Sequence, residues 1–271
     1  MPRLRPAARR PIFGAVLGHA LVVVSDAHLG GSPPDVEERL LAFLEAVPTL
    51  GDCLLVNGDL FDFWFSYSRV VPRRGFHVAA ALAGLGRRRL PMVMVGGNHD
   101  RWGGDFWTRD LGIRFEPSSA RFEIGRRRVL AIHGDGLTEP GLRATLLHRL
   151  INHPITAAVY RWIHPELGLR LVDIVGPHLG SQLPNEAALH AAAERQREWA
   201  ERRLASEPDL GLVVMGHTHR AALSEPQQGR QYLNPGAWFD GGRYALVNEQ
   251  GAELRTFTPA APPPPQPAAP R

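Results

Sequence analysis

Seven side chains of metal-ligating type recur in five short blocks along the 271-residue sequence: Asp26 and His28, Asp59, Asn98, His133, and His217 with His219. Mixed imidazole, carboxylate and amide donors suit borderline divalent ions such as Mn²⁺, Fe²⁺ or Zn²⁺ better than Mg²⁺. Seven donors exceed what one tetrahedral ion takes, and a shared carboxylate would divide them between two. Two ions about 3.5–4 Å apart lower the pKa of a bridging water, clamp phosphate oxygens and stabilise charge on the attacking and leaving oxygens of an in-line displacement. A hydrolase built this way needs no protein nucleophile. Taken singly, a D-x-H or H-x-H tripeptide is more often a surface turn, and a lone histidine after a strand is usually just hydrogen-bonded. The joint occurrence is what points to chemistry: five blocks, most flanked by glycine, that together with His99 hold five of the twelve histidines. Glycine fits where backbones must approach closely around ions.

To bring these blocks together, each must end a buried strand, because open α/β sheets place ligands at the carboxyl edge of their strands. Apolar runs at 20–24, 54–56, 92–95, 129–132 and 212–215 lead directly into the five blocks and predict five such strands. Further strands are expected at 121–124, 231–233, 244–247 and 253–257. Asp35 and Glu38 form a D-x-x-E capping box ahead of apolar residues at 36, 40, 41, 44 and 47, which predicts a helix ending near Pro48. A second helix is expected at 78–85. The segment 141–206 reads as predominantly helical, with breaks at Pro154, Pro165, Pro177 and Pro184. The expected organisation is a basic N-terminal extension (1–18), one domain (19–258) with a helical lid inserted at about 141–206, and a disordered Pro/Ala-rich tail (259–271).

Composition bounds the function. The chain is 44% hydrophobic and 21% charged, with no apolar run near the roughly 18 residues needed to span a bilayer. The basic N-terminus followed by residues 12–24 has the outline of a signal peptide. That stretch, however, runs straight into Ser25-Asp26-Ala27-His28 without a small-residue cleavage site, so the cytoplasm is the expected compartment. A single cysteine, Cys53, excludes an internal disulfide and a cysteine-based zinc site. All 31 basic residues are Arg, in keeping with a genomic nucleotide bias, and the net charge of +4 favours anionic partners.

The blocks resemble the signature of the calcineurin-like metallophosphoesterases, D-x-H, G-D-x-x-D, G-N-H-D/E, H-G and G-H-x-H, over about residues 20–257. That resemblance implies a four-layer α/β (α+β) fold, a β-sandwich flanked by helices. It implies that Asp26, His28 and His219 hold one ion, that Asn98, His133 and His217 hold the other, and that Asp59 bridges them. It also places His99 against the substrate phosphate, where an imidazolium stabilises an oxyanion or protonates the leaving group. Asp62 is then the acid that orients His99; its plainer reading is an aspartate capping its own loop.

Within that family, Gly58-Asp-Leu-Phe-Asp-Phe-Trp64 and Gly236-Ala-Trp238 resemble stretches of the UDP-2,3-diacylglucosamine hydrolases of lipid A synthesis. The gap between His133 and His217 leaves room for the helical lid of that branch, and Ser181 and Asn185 match a substrate-contacting Ser-x-x-x-Asn pair. The implied reaction cleaves the pyrophosphate of a UDP-linked glycolipid to UMP and 2,3-diacylglucosamine 1-phosphate. Peripheral contact with the inner membrane follows, and nucleic acid is not the expected partner. This chain has His99 where that branch has Arg, and Ala188 where it has a basic residue.

The lid sequence bears on the same question. Leu142, Leu146, Leu147, Leu150 and Ile151 form one helical face, and Ile155, Val159, Trp162 and Ile163 another, with Arg143, Arg149, Arg161 and Arg170 interleaved. Apolar faces beside arginines suit acyl chains and a diphosphate at an anionic surface, although such faces also simply pack on a domain. Two other readings stand beside this one: a phosphodiesterase or phosphatase for soluble nucleotides or nucleic acid, and a catalytically silent scaffold, which would tend to have lost ligands.

Overall fold

The structure, a computed structural model, describes residues 16–67, 69–137, 154–179 and 186–259. Twelve strands form two six-stranded sheets among these residues. Sheet I contains β2 (Leu21–Val24), β3 (Cys53–Asn57), β4 (Met92–Val95), β5 (Arg114–Glu116), β11 (Arg243–Val247) and β12 (Ala252–Thr256), in the order β12-β11-β2-β3-β4-β5. Sheet II contains β1 (Val16–Gly18), β6 (Ser119–Ile124), β7 (Arg127–Ile132), β8 (Leu212–Val214), β9 (Ala222–Leu223) and β10 (Gln231–Asn234), in the order β1-β6-β7-β8-β10-β9.

The alternation of strand side chains builds the layers. Leu21, Val23, Leu55, Val93 and Val95 of sheet I meet Phe122, Val129, Ala131, Leu212 and Val214 of sheet II in one buried cluster between the sheets. Their neighbours Val22, Val24, Leu54, Val56 and Met94 face the other way, onto α1 (Pro34–Leu50) and α2 (Phe76–Arg87) through Leu40, Phe43, Val78 and Leu82. The short α3 (Phe106–Arg109) adds Trp107 to that layer. On the far side of sheet II, Leu130, Val213 and Tyr232 receive Ala200 and Leu204 of α6 (Glu186–Ser206). The result is helix, sheet, sheet, helix. Each fully buried Val or Leu in these layers contributes roughly 1.5–3 kcal/mol relative to exposure.

Between β7 and α6 the described residues form α4 (Pro154–Tyr160) and α5 (Pro165–Leu179), with Pro154 and Pro165 at the first helical positions where no N–H is needed. Ile155 and Trp162 are 65% and 92% exposed, whereas Ile163 of the same face is half-buried. Residues 141–153, with the first apolar lid face, lie outside the described residues, as do Pro184, residues 1–15 and residues 260–271.

Four expectations change. Helix α1 starts at Pro34 with Pro33 as its cap and no side-chain cap bond, so Asp35 sits inside the first turn and pairs with Arg39 at 2.8 Å instead of closing a capping box. Pro48 lies within the last turn, which the buried Val47 and the Gly51 N–H to Val47 carbonyl bond (3.0 Å) carry on to Leu50. Pro177 is similarly taken into the end of α5. Strand β1 falls within the segment expected to precede the domain and pairs in parallel with β6.

Candidate metal centre

Strands β2, β3 and β4 run parallel, with Val24 beside Val56 and Val56 beside Met94, so the loops after them leave one edge of sheet I carrying Asp26, His28, Asp59 and Asn98. In sheet II, β7 and β8 are parallel with Ala131 beside Val214, and His133 and the Gly216 to His219 turn leave the matching edge. The loops lock onto one another through the main chain: Asp26 N–H donates to Gly58 O (3.1 Å), His28 N–H to Asp59 O (3.0 Å) and Gly216 N–H to His133 O (2.9 Å). A Cβ at Gly97 would collide with the Asp59 carboxylate and amide, and one at Gly216 with Ser25 and Asp26. Both positions therefore need glycine for close approach.

Five of the seven candidate ligands hold left-handed backbone: Asp26 (φ 53°), His28 (46°), Asp59 (51°), His217 (67°) and His219 (58°). Among the described residues only Arg89 and Gln228 share this conformation without being glycine. Such residues cost on the order of 1–3 kcal/mol each and cluster where function fixes them.

The donors converge in two groups, which a third made of His28, Asp59 and His99 links. Asp26, His28 and His219 bring their ligand atoms within 4.8 Å of one another, and so do Asp59, His133 and His217. His219 Nε2 lies 3.4 Å from Asp26 Oδ1 and 3.3 Å from His28 Nε2. Asp59 Oδ2 lies 3.1 Å from His133 Nε2 and 3.8 Å from His28 Nε2, between the two groups. His133 donates Nδ1–H to Asn57 O at 2.8 Å, which in the neutral ring leaves Nε2 as the lone-pair donor. That Nε2 is buried and faces the Asp59 carboxylate, and Asn98 Oδ1 is buried without a hydrogen-bond partner. An orphaned amide oxygen in a nest of carboxylates and imidazoles fits divalent cations.

The electrostatics say the same. Burial works to raise the carboxyl pKa of Asp59, but the imidazoles of His133 and His99 hold it well below the usual range. Asp26 is also lowered: burial opposes this, and His219 and His133 outweigh it. Burial depresses His133, yet Asp59, Asp26 and Asp135 drive it well above the usual histidine value. His217 is pushed down to about 4 by burial and by His133, so it is neutral at pH 7. Without metal, protons on imidazoles balance the carboxylates, and a cation must expel the one on His133. Metal affinity is therefore expected to rise with pH until His133 has titrated and to level off above. Calorimetric titration in buffers of differing ionisation enthalpy checks this; a binding heat independent of the buffer contradicts it.

Asp62 does not hold His99 through its carboxylate. The His99 Nδ1–H donates to the main-chain carbonyl of Asp62, while the carboxylate lies 3.7 Å from His28 Nδ1. Ser181 and Asn185 lie outside the described residues.

Three contributions escaped the sequence reading. Asp100, fully buried, accepts Leu60 N–H (2.7 Å) and Gly97 N–H (3.0 Å), tying the β3 and β4 loops together. Burial and Asp59 push its carboxyl up to about 6. Ser25 Oγ lies within bonding distance of the Asp26 carboxylate and Asn57 O. Beneath the Gly216 to His219 turn, Gln196 of α6 donates to Gly216 O (3.1 Å) and accepts from Thr218 Oγ1 (3.2 Å), with Asn234 Nδ2 on both Gly216 O and Thr218. The available signals were an aspartate adjoining Asn98-His99 and a glutamine in the otherwise small buried row Ala192, Gln196, Ala200.

The family described as calcineurin-like phosphoesterase matches residues 19–221 of this chain. UDP-2,3-diacylglucosamine hydrolase of Porphyromonas gingivalis is 28% identical over 241 residues, covering 82% of this chain and 91% of that protein. The protein of the same name from Yersinia pseudotuberculosis is 25% identical over 237 residues, covering 86% and 97%.

Proposed function

We propose, from the premise that this chain belongs to the calcineurin-like phosphoesterase family and is a metal-dependent hydrolase, that its substrate is UDP-2,3-diacylglucosamine, cleaved at the pyrophosphate to UMP and 2,3-diacylglucosamine 1-phosphate. The observation that carries this reading is the pair of relatives bearing that substrate's name, each aligned over more than four-fifths of this chain.

Divalent cations, with Mn²⁺ as the proposed native metal, supply an activated water and neutralise phosphate charge when bound. Asp26, His28 and His219 would hold one, Asn98, His133 and His217 the other, and Asp59 both. The carbonyl of Asp62 holds the His99 ring by Nδ1 and leaves Nε2 free to meet a phosphate oxygen. Burial lowers the pKa of His99, but Asp59, the Asp62 carbonyl and carboxylate, and Asp100 together raise it, which favours the imidazolium needed to steady or protonate a leaving phosphate.

The proposed lid takes in α4, α5 and the turn between them, whose exposed Ile155, Val159 and Trp162 suit acyl chains, with Ser181 and Asn185 as proposed substrate contacts. No helix among the described residues is long and apolar enough to cross a membrane. Contact with the cytoplasmic face of the inner membrane is accordingly proposed as peripheral, through this apolar, arginine-bearing face. Mn²⁺-loaded protein is expected to release UMP from the lipid. No UMP release alongside brisk turnover of a generic phosphodiester rejects the assignment.

His99, in place of the arginine of the lipid A branch, favours a second reading: a phosphodiesterase or phosphatase for soluble nucleotides. Deleting 141–180 separates the two. A soluble-substrate enzyme keeps its specificity without that segment, whereas the lipid hydrolase loses turnover of its acylated substrate first.

A further inference from the structure

A cleft of about 280 Å³ opens at the end of the sandwich opposite the metal donors. Arg126, Arg127, Arg128 and Arg230 line it, together with Asp209 and Glu249. Arg127 begins β7 and Arg230 precedes β10, whereas His133 and His217 follow the far ends of β7 and β8, roughly 20 Å away at the rise of a strand. The cleft is therefore separate from the candidate metal centre.

Its charges do not balance. Arg128 pairs with Asp209 at 3.1 Å and with Glu123 at 3.2 Å, and Arg126 Nε lies 3.7 Å from Glu249. Arg127 and Arg230 have only neutral acceptors. Arg127 donates to Gln231 Oε1 (2.7 Å), Gly211 O (3.3 Å) and Asn248 O (3.5 Å), and Arg230 to Leu204 O (2.9 Å) and Gln228 Oε1 (2.6 Å). Arg127 is only 7% exposed, and its Nε is buried with no partner. Burial without a counter-charge pulls its guanidinium pKa down. A buried guanidinium is ordinarily retained with a carboxylate or an anionic ligand, and the four lining arginines against Asp209, Glu249 and the Glu123 that pairs with Arg128 leave a surplus of one positive charge.

We propose that this cleft is a second anion site, taking a phosphate dianion, free or carried on a larger molecule, on Arg127 and Arg230. The planar donor fork of arginine matches phosphate oxygens, and Arg127 and Arg230 carry the charge that no carboxylate meets.

The test uses full-length protein loaded with Zn²⁺, freed of excess metal and ¹⁵N-labelled at arginine. It is titrated with inorganic phosphate and, separately, with UMP while the side-chain Nε–Hε resonances are followed. The Arg127 resonance is identified by its loss in Arg127→Gln. A saturable shift of that resonance is expected in the wild type and in Asp59→Asn. In Arg230→Ala, whose other arginine signals should stay in place, the shift should need at least about tenfold more phosphate. Tighter binding of inorganic phosphate than of UMP assigns the free ion, and the reverse assigns a phosphate ester. No shift, a shift unchanged in Arg230→Ala, or one abolished by Asp59→Asn overturns the proposal.

Discussion

Asp59→Asn is expected to lower turnover by about a thousandfold or more and to cut bound metal from a pair of ions to one or none. Asparagine tolerates left-handed backbone, so the φ of 51° is kept, and its side-chain oxygen can still accept the His99 N–H that Asp59 Oδ1 accepts at 3.0 Å. The substitution thus removes one negative charge, and with it the capacity to serve both donor groups, while the loop stays folded. Turnover together with elemental analysis of dialysed protein checks the outcome. Wild-type activity in a protein retaining both ions would dismiss Asp59 as a shared ligand.

His99→Gln should reduce kcat by about 10²–10⁴ with a much smaller change in KM, because the imidazolium acts on charge that develops as the phosphate departs. The pH dependence carries the sign. The pKa of His99 lies above its ordinary value, since Asp59, the Asp62 carbonyl and carboxylate, and Asp100 together outweigh burial. Activity that needs the imidazolium is therefore full below that pKa and falls as pH rises through it. Bound cations oppose the carboxylates, so the basic limb should lie at lower pH than the titration of His99 in metal-free protein followed by NMR. A glutamine variant that retains the limb would assign it to another group.

The positions of the candidate donors were legible in the sequence because each follows a short run of apolar residues; the five strands β2, β3, β4, β7 and β8 are buried enough to declare themselves. Their division between two sheets was less visible, since strand pairing is a property of the tertiary fold. Strands β1, β5 and β9 escaped notice because they have only two or three residues, sit at or next to sheet edges and are half exposed. The start of α1 was misplaced because Asp35 and Glu38 carry the capping pattern while two prolines, 33 and 34, set the backbone two positions earlier. Asp62 was assigned to His99 through the family resemblance, and a match of residue types does not distinguish a carboxylate from the carbonyl of the same residue. Asp100 and Gln196 gave little sign because polar residues earn structural roles only when tertiary packing buries them.

Sheet I contributes Asp26, His28, Asp59 and Asn98, and sheet II contributes His133, His217 and His219. Neither sheet carries the full set of proposed donors, so tight ion uptake is expected to wait until the two halves have docked. Cation capture then reports the last step of assembly during refolding, and chelation should preferentially loosen that rim of the sandwich, as faster amide exchange in the loops after β3 and β8.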